Sequence, residues 1–162
     1  KGSTFANTDR RICGPYYSGV ARPMILAIDT SALALRYLPG NHRELVLTEM
    51  ERANIWCASE LVRAEVLLTL HRASISPSQN MELSSRFNTD WDSFHVVPLD
   101  GRCISHASQL GSRFGLRLVD ALHFAAIDRL PRPVKYLTLD HRQIPAAVEL
   151  GFELLTPLEE IS

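Results

Sequence analysis

Four carboxylates in the 162-residue sequence stand where a carboxylate is either costly or unusually placed. Asp29 closes the apolar run of residues 24–28 and is followed by Thr30 and Ser31. Asp140 closes Val-Lys-Tyr-Leu-Thr-Leu in the same way, and Thr138, two residues earlier, falls on the same side of a strand. Glu65 sits in a helical stretch with Leu61 four residues before it and Leu68 three after, which places it on one apolar face. A carboxylate there needs a partner or a cation. Asp120 stands at the start of a helical stretch, within Leu-Val-Asp-Ala-Leu-His-Phe-Ala-Ala, and shares a face with Phe124 and Ile127. Taken singly, Asp29, Asp120 and Asp140 each have a plain reading as a helix cap or turn residue. Gathered together, four carboxylates repel one another and stay ionised only with a cation among them. All-oxygen ligation selects a hard ion, Mg²⁺ or Mn²⁺. Such a centre suits metal-assisted attack of water on a phosphodiester.

The hydrophobic pattern supplies the elements that would position these residues. The unbroken apolar run over 24–28 reads as a parallel strand covered on both faces. A short helix is expected over 31–37, broken by Pro39-Gly40-Asn41, then a helix over 42–53 and a strand over 54–58. Ser59 is expected to cap a helix over 60–72, and Pro77 to open another over 78–91. A strand over 94–99 precedes a helix over 103–114, stopped by Gly115, and a helix over 119–130, closed by Pro131 and Pro133. A strand over 134–139 leads to a helix over 144–150, with Gly151 just past its end, and a last strand over 152–155. Strands alternating with helices imply an α/β fold, a three-layer α/β/α sandwich around a central parallel sheet of about four to five strands. Ligands of such sheets bind outside the carboxyl ends of the strands, where Asp29 and Asp140 stand. Residues 24–157 are expected to form this domain, with an N-terminal extension over 1–23 and a tail over 158–162.

Composition narrows the function classes. The 46% hydrophobic and 22% charged residues are those of a soluble globular chain. A net charge of −1 gives no global positive field, so any nucleic acid would be held by a local patch. Of the 17 basic residues all but Lys1 and Lys135 are arginine, which reads as base composition; arginine is also the side chain that grips phosphate bidentately. Cys13, Cys57 and Cys103 lie far apart without a Cys-x-x-Cys pair, against a disulfide framework or zinc site and in keeping with a reducing cytoplasm. No apolar run approaches the roughly 20 residues of a membrane span, and residues 1–23 lack the apolar middle of a signal peptide.

The order of the motifs resembles that of the PIN-domain ribonucleases, and most closely the VapC toxins of toxin–antitoxin pairs. The residues that carry the resemblance are Ile28-Asp29-Thr30-Ser31-Ala32-Leu33, then Ala58-Ser59-Glu60-Leu61-Val62-Arg63-Ala64-Glu65-Val66, then Leu118-Val119-Asp120-Ala121-Leu122-His123-Phe124-Ala125-Ala126. Leu137-Thr138-Leu139-Asp140 and Gly151-Phe152-Glu153-Leu154-Leu155-Thr156-Pro157 complete it. The resemblance implies an RNA-cutting enzyme in which Asp29, Glu65, Asp120 and Asp140 hold Mg²⁺ or Mn²⁺, with Ser31 and Thr138 supporting them by hydrogen bonds. It also implies a homodimer neutralised by a VapB-type antitoxin. Such toxins usually begin near the equivalent of Met24, so residues 1–23 are a departure.

Other residues carry weaker expectations. Arg117, His141 and Arg142 flank the carboxylates in sequence and could contact RNA phosphates, which position a strand without reading it; solvated surface charge explains them as well. His123 is expected as a core or surface histidine rather than a ligand, Trp56 and Trp91 as core or interface residues rather than base-stacking ones, and Glu60 and Asp128 as ordinary surface charges. The reading of a different class is a non-catalytic binding or regulatory domain in which Asp29 and Asp140 are caps. A receiver-like version would want a lysine at the end of a late strand, and Lys135 opens its strand instead. A haloacid-dehalogenase-type phosphatase would want an Asp two residues after Asp29, where Ser31 stands.

Overall fold

The apolar run before Asp29 forms the middle of a sheet. In the computed structural model, which describes residues 23–157, β1 (Ile25–Ile28) pairs with β2 (Ile55–Ser59) on one side and β4 (Val134–Leu137) on the other. β3 (His95–Val97) extends the sheet beyond β2 and β5 (Glu153–Leu155) beyond β4, in the order β3-β2-β1-β4-β5, every pairing parallel. The tail over 158–162 and the expected extension, except for Pro23, lie outside the described residues.

Both faces are covered, as the apolar strands require. Alternation along β1 sends Leu26 and Ile28 into one core and Ala27 into the other, and Tyr136 and Leu137 of β4 split in the same way. α1 (Thr30–Leu33), α2 (Arg43–Arg52), α3 (Glu60–Ala73) and α4 (Pro77–Trp91) cover the Leu26 face. α5 (Gly101–Phe114), α6 (Leu118–Ile127) and α7 (Ile144–Glu149) cover the Ala27 face. The three-layer sandwich expected from the sequence is the observed fold, with five strands.

Local chemistry sets the helix ends. Ser76 accepts from Gln79 N–H ahead of Pro77 at the start of α4, and Asp100 accepts from the N–H groups of Arg102 and Cys103 at the start of α5. Gly115 ends α5 with φ of 64°, a left-handed conformation that glycine adopts without strain. Phe124 is fully buried on α6 against the rings of Tyr136 and Phe152, at 5.1 and 6.1 Å. Burial of a side chain of this size contributes about 2–3 kcal/mol. It fixes the rotation of α6, so that Asp120, one turn earlier, also faces inward and is buried.

Some elements are shorter than their apolar runs. The expected strand over 94–99 stops at Val97, before Pro98, which has no N–H for the ladder. The strand over 134–139 closes at Leu137 and frees Thr138 to Asp140 for the site. The expected helix over 31–37 is one α-helical turn continued by a 3-10 turn over Ala34–Arg36. Ser59 holds the cap position of α3 but makes no side-chain cap bond; its hydroxyl is engaged by His123 instead.

Candidate functional site

Asp29 leaves the carboxyl end of β1 and is 5% exposed. Its Oδ2 accepts from Ser31 N–H at 3.1 Å and from the Ser31 hydroxyl at 2.6 Å, so the cap expected of Asp29 is present. Its Oδ1 is turned the other way and accepts from Gln143 Nε2 at 3.3 Å. A cap uses one oxygen; the second points to a different purpose.

Gln143 joins the next carboxylate. The same amide nitrogen donates to Asp120 Oδ1 at 2.9 Å, while Gln143 Oε1 accepts from the hydroxyls of Tyr136 at 2.7 Å and Thr138 at 2.9 Å. Asp120 is the third residue of α6, not its cap, and is also 5% exposed. Two nearly buried carboxylates thus share one neutral donor. The Tyr136 phenol beside them is raised well above its ordinary value, first by burial and then by the negative charges of Asp29, Asp120, Asp140 and Glu65.

Asp140 follows β4 and caps the 3-10 turn His141–Gln143 through Arg142 N–H. Its own N–H donates to the Thr138 hydroxyl at 3.1 Å. The Arg142 guanidinium forks onto both its oxygens at 2.9 and 2.7 Å. That hydrogen-bonded fork comes first among the causes that hold the Asp140 carboxyl below the usual range. Arg117 forks onto Asp120 at 2.7 and 3.1 Å and reaches Asp140 Oδ2 at 3.3 Å. His141 is exposed at the start of the 3-10 turn.

Glu65 is carried on α3 and is held by Thr30, next to Asp29, and by His123, on the helix that carries Asp120. The buried face of that helix is Val62, Val66 and Leu70, and Leu68 is 53% exposed. The apolar face expected through Leu61 and Leu68 is thus displaced, and Glu65 stands at the margin of the core, half-buried. It accepts from the Thr30 hydroxyl at 2.8 Å and contacts His123 Nε2 at 2.5 Å. His123 is buried, and its Nδ1 meets the Ser59 hydroxyl. Burial raises the Glu65 carboxyl, but the His123 hydrogen bond and charge, with Thr30 and Arg117, outweigh it and leave it lowered. Glu60 is exposed and accepts from Leu99 N–H; Asp128 pairs with Arg132 and His106.

Gln143, Thr30 and the Ser59–His123 pair are the members that residue types did not reveal. Nothing in a glutamine next to an arginine marks it as buried. Its one signal is the three-residue step from Asp140, the stacking interval of a 3-10 turn. The donor set is chemically that of a hard divalent cation: carboxylate and hydroxyl oxygens. As arranged, no three His, Cys, Asp or Glu side chains among the described residues converge as a ready-made metal site. The position between Asp120 and Asp140 is bridged by the Arg117 guanidinium, a stand-in cation. The residues therefore fit such an ion in kind, with arginine in its place.

Comparison with known proteins gives one family match: the PIN domain profile matches residues 26–150. No curated protein matches the chain by sequence. The fold is shared with a toxin–antitoxin complex from Klebsiella pneumoniae at TM-score 0.61, 15% identity and coverage of 83% of this chain and 98% of the other. FitAB bound to an IR36 DNA fragment aligns at TM-score 0.64 and 16% identity, over 86% of this chain and all (100%) of the other. VapBC2 from Rickettsia felis, bound to a fragment of its promoter, aligns at TM-score 0.59 and 13% identity, over 83% and 100%.

Proposed function

The chain belongs to the PIN-domain family, and from that premise we propose that it is a metal-dependent endoribonuclease acting as the toxin of a toxin–antitoxin pair. The observation that carries this reading is the pair Asp29 and Asp120, nearly buried and sharing the Gln143 amide at the carboxyl edge of the sheet. Asp29 and Asp120 would hold Mg²⁺ or Mn²⁺, with Asp140 and Glu65 completing the donor set. When bound, the ion supplies positive charge at the scissile phosphate and lowers the pKa of the attacking water. Ser31 and Thr138 orient the carboxylates: Ser31 fixes Oδ2 of Asp29, and Thr138 fixes the Gln143 amide and the turn to Asp140. His123, held by Ser59, keeps Glu65 turned toward the site. Arg117, His141 and Arg142 stand on the solvent side, where they can meet the phosphates of an RNA strand.

The proposed partners are a VapB-type antitoxin, supported by neighbours that are themselves toxin–antitoxin complexes, and, on the family resemblance alone, a second copy of the chain and RNA as substrate. Among the described residues no helix is long and apolar enough to cross a membrane, and a cytoplasmic location is part of the proposal.

The test is cleavage of host RNA by the purified protein with Mn²⁺ or Mg²⁺, against an EDTA control. Asp29→Asn and Asp120→Asn should each lower the rate by more than the about 100-fold typical of losing a supporting contact, with the circular dichroism unchanged. Absence of metal-dependent cleavage in the wild type would sink the reading. A non-catalytic binding domain is the second reading, favoured by the cap bonds that Asp29 and Asp140 do make. Titration with Mn²⁺ separates the two: no binding by the wild type supports the second.

A further inference from the structure

The acidic cluster carries its own positive charge. Arg117 occupies the cap position of α6 without capping it, at the end of the helix where the dipole disfavours a cation. Its hydrogen bonds go instead to Asp120, through Nε and Nη2, and to Asp140, through Nη2. The two partners differ in freedom. The Asp120 side chain is 7% exposed and is also held by Gln143, whereas the Arg117 side chain is 61% exposed. The carboxylate is fixed and the guanidinium is the movable member. Arg142 also forks onto Asp140, but among the described residues Arg117 is the arginine that bridges Asp120 and Asp140.

We propose that Arg117 is a built-in counter-ion of the acidic cluster: a divalent cation must displace it to bind, and the displaced guanidinium then takes the RNA phosphate. This rests on the metal-dependent reading above. A cation and a guanidinium compete for the same carboxylate oxygens. Apparent metal affinity is therefore reduced by the fraction of molecules whose site is open. A guanidinium seated about nine-tenths of the time weakens the metal about tenfold. The same arginine, once released, is a forked donor of the shape that phosphate accepts. It remains tethered one turn from Asp120. Arg117 is thus a positioning residue that exchanges one anion for another.

The experiment is a titration of the full chain with Mn²⁺, without RNA, followed by electron paramagnetic resonance, for the wild type, Arg117→Gln and Arg117→Lys. Arg117→Gln should bind Mn²⁺ about tenfold more tightly. Arg117→Lys, which keeps the charge without the fork, should fall between. In cleavage assays the KM for RNA should rise in Arg117→Gln while the metal affinity improves. A purely structural role would weaken both. Equal or weaker Mn²⁺ binding by Arg117→Gln overturns the counter-ion role and leaves the metal reading standing. Absence of Mn²⁺ binding in all three proteins overturns both.

Discussion

Gln143 is the side chain through which the site is coupled to the core. It is 1% exposed, accepts from two hydroxyls and donates to two carboxylates, so each of its polar atoms serves two partners. Removing such a hub costs more than one hydrogen bond, because buried groups are left unpaired at about 1–3 kcal/mol each. Gln143→Leu, of similar size and no polarity, should lower the stability by about 3 kcal/mol or more, read from urea denaturation in EDTA. A change below about 1 kcal/mol would mean that Tyr136, Thr138 and the two aspartates find other partners. The residue scale also explains how His123 is used. It is a core histidine, as its setting among apolar residues suggests, and its two ring nitrogens link Ser59 at the end of β2 to Glu65 on α3.

At the scale of elements, the short α1 and its 3-10 continuation need an anchor, since a helix of this length has little stability of its own. Asp90 on α4 supplies it by accepting from Arg36 Nε at 2.7 Å and the Tyr37 hydroxyl at 2.8 Å. Burial raises the Asp90 carboxyl, but the hydrogen bonds from Arg36 and Tyr37 and the charges of Arg36 and Arg86 outweigh it and hold it below the ordinary range. A carboxylate with a depressed folded-state pKa stabilises the fold above its unfolded value, about 3.9, and loses that contribution as pH falls through the folded value. The stability difference between the wild type and Asp90→Asn should therefore be constant near neutrality and shrink below about pH 4. A difference that grows on acidification would contradict the anchor.

At the scale of the molecule, the −1 net charge gives no general attraction for a polyanion, so the RNA binding proposed above should depend on the arginines beside the carboxylates. The homodimer proposed above predicts a mass in light scattering of twice the 18.2 kDa chain. A monomeric mass at tens of micromolar would remove the second copy from the proposal.

The sequence by itself determined the layers. Apolar runs of strand length, broken by Asp, Gly and Pro and alternating with helical stretches, leave a doubly covered parallel sheet as their consistent arrangement. Asp29, Asp120 and Asp140 stood out for the same reason, since each interrupts an apolar pattern or ends one where a charge is costly; Glu65 was singled out by a face through Leu61 and Leu68 that the packing does not use. What tertiary structure alone decided is how the charges are compensated. Leu68 looked inward by spacing and is exposed, because the sheet fixes the rotation of α3 about Val62, Val66 and Leu70. Gln143 and Thr30 are ordinary polar residues in the chain, and Arg117 reads from it only as a flanking charge, not as a partner of Asp120. They gain their roles because β1, α3, α6 and the turn after β4 end at one edge, bringing partners up to 114 residues apart into hydrogen-bond distance. Residue type records the cost of burying a group; which neighbour meets that cost is a property of the packed chain.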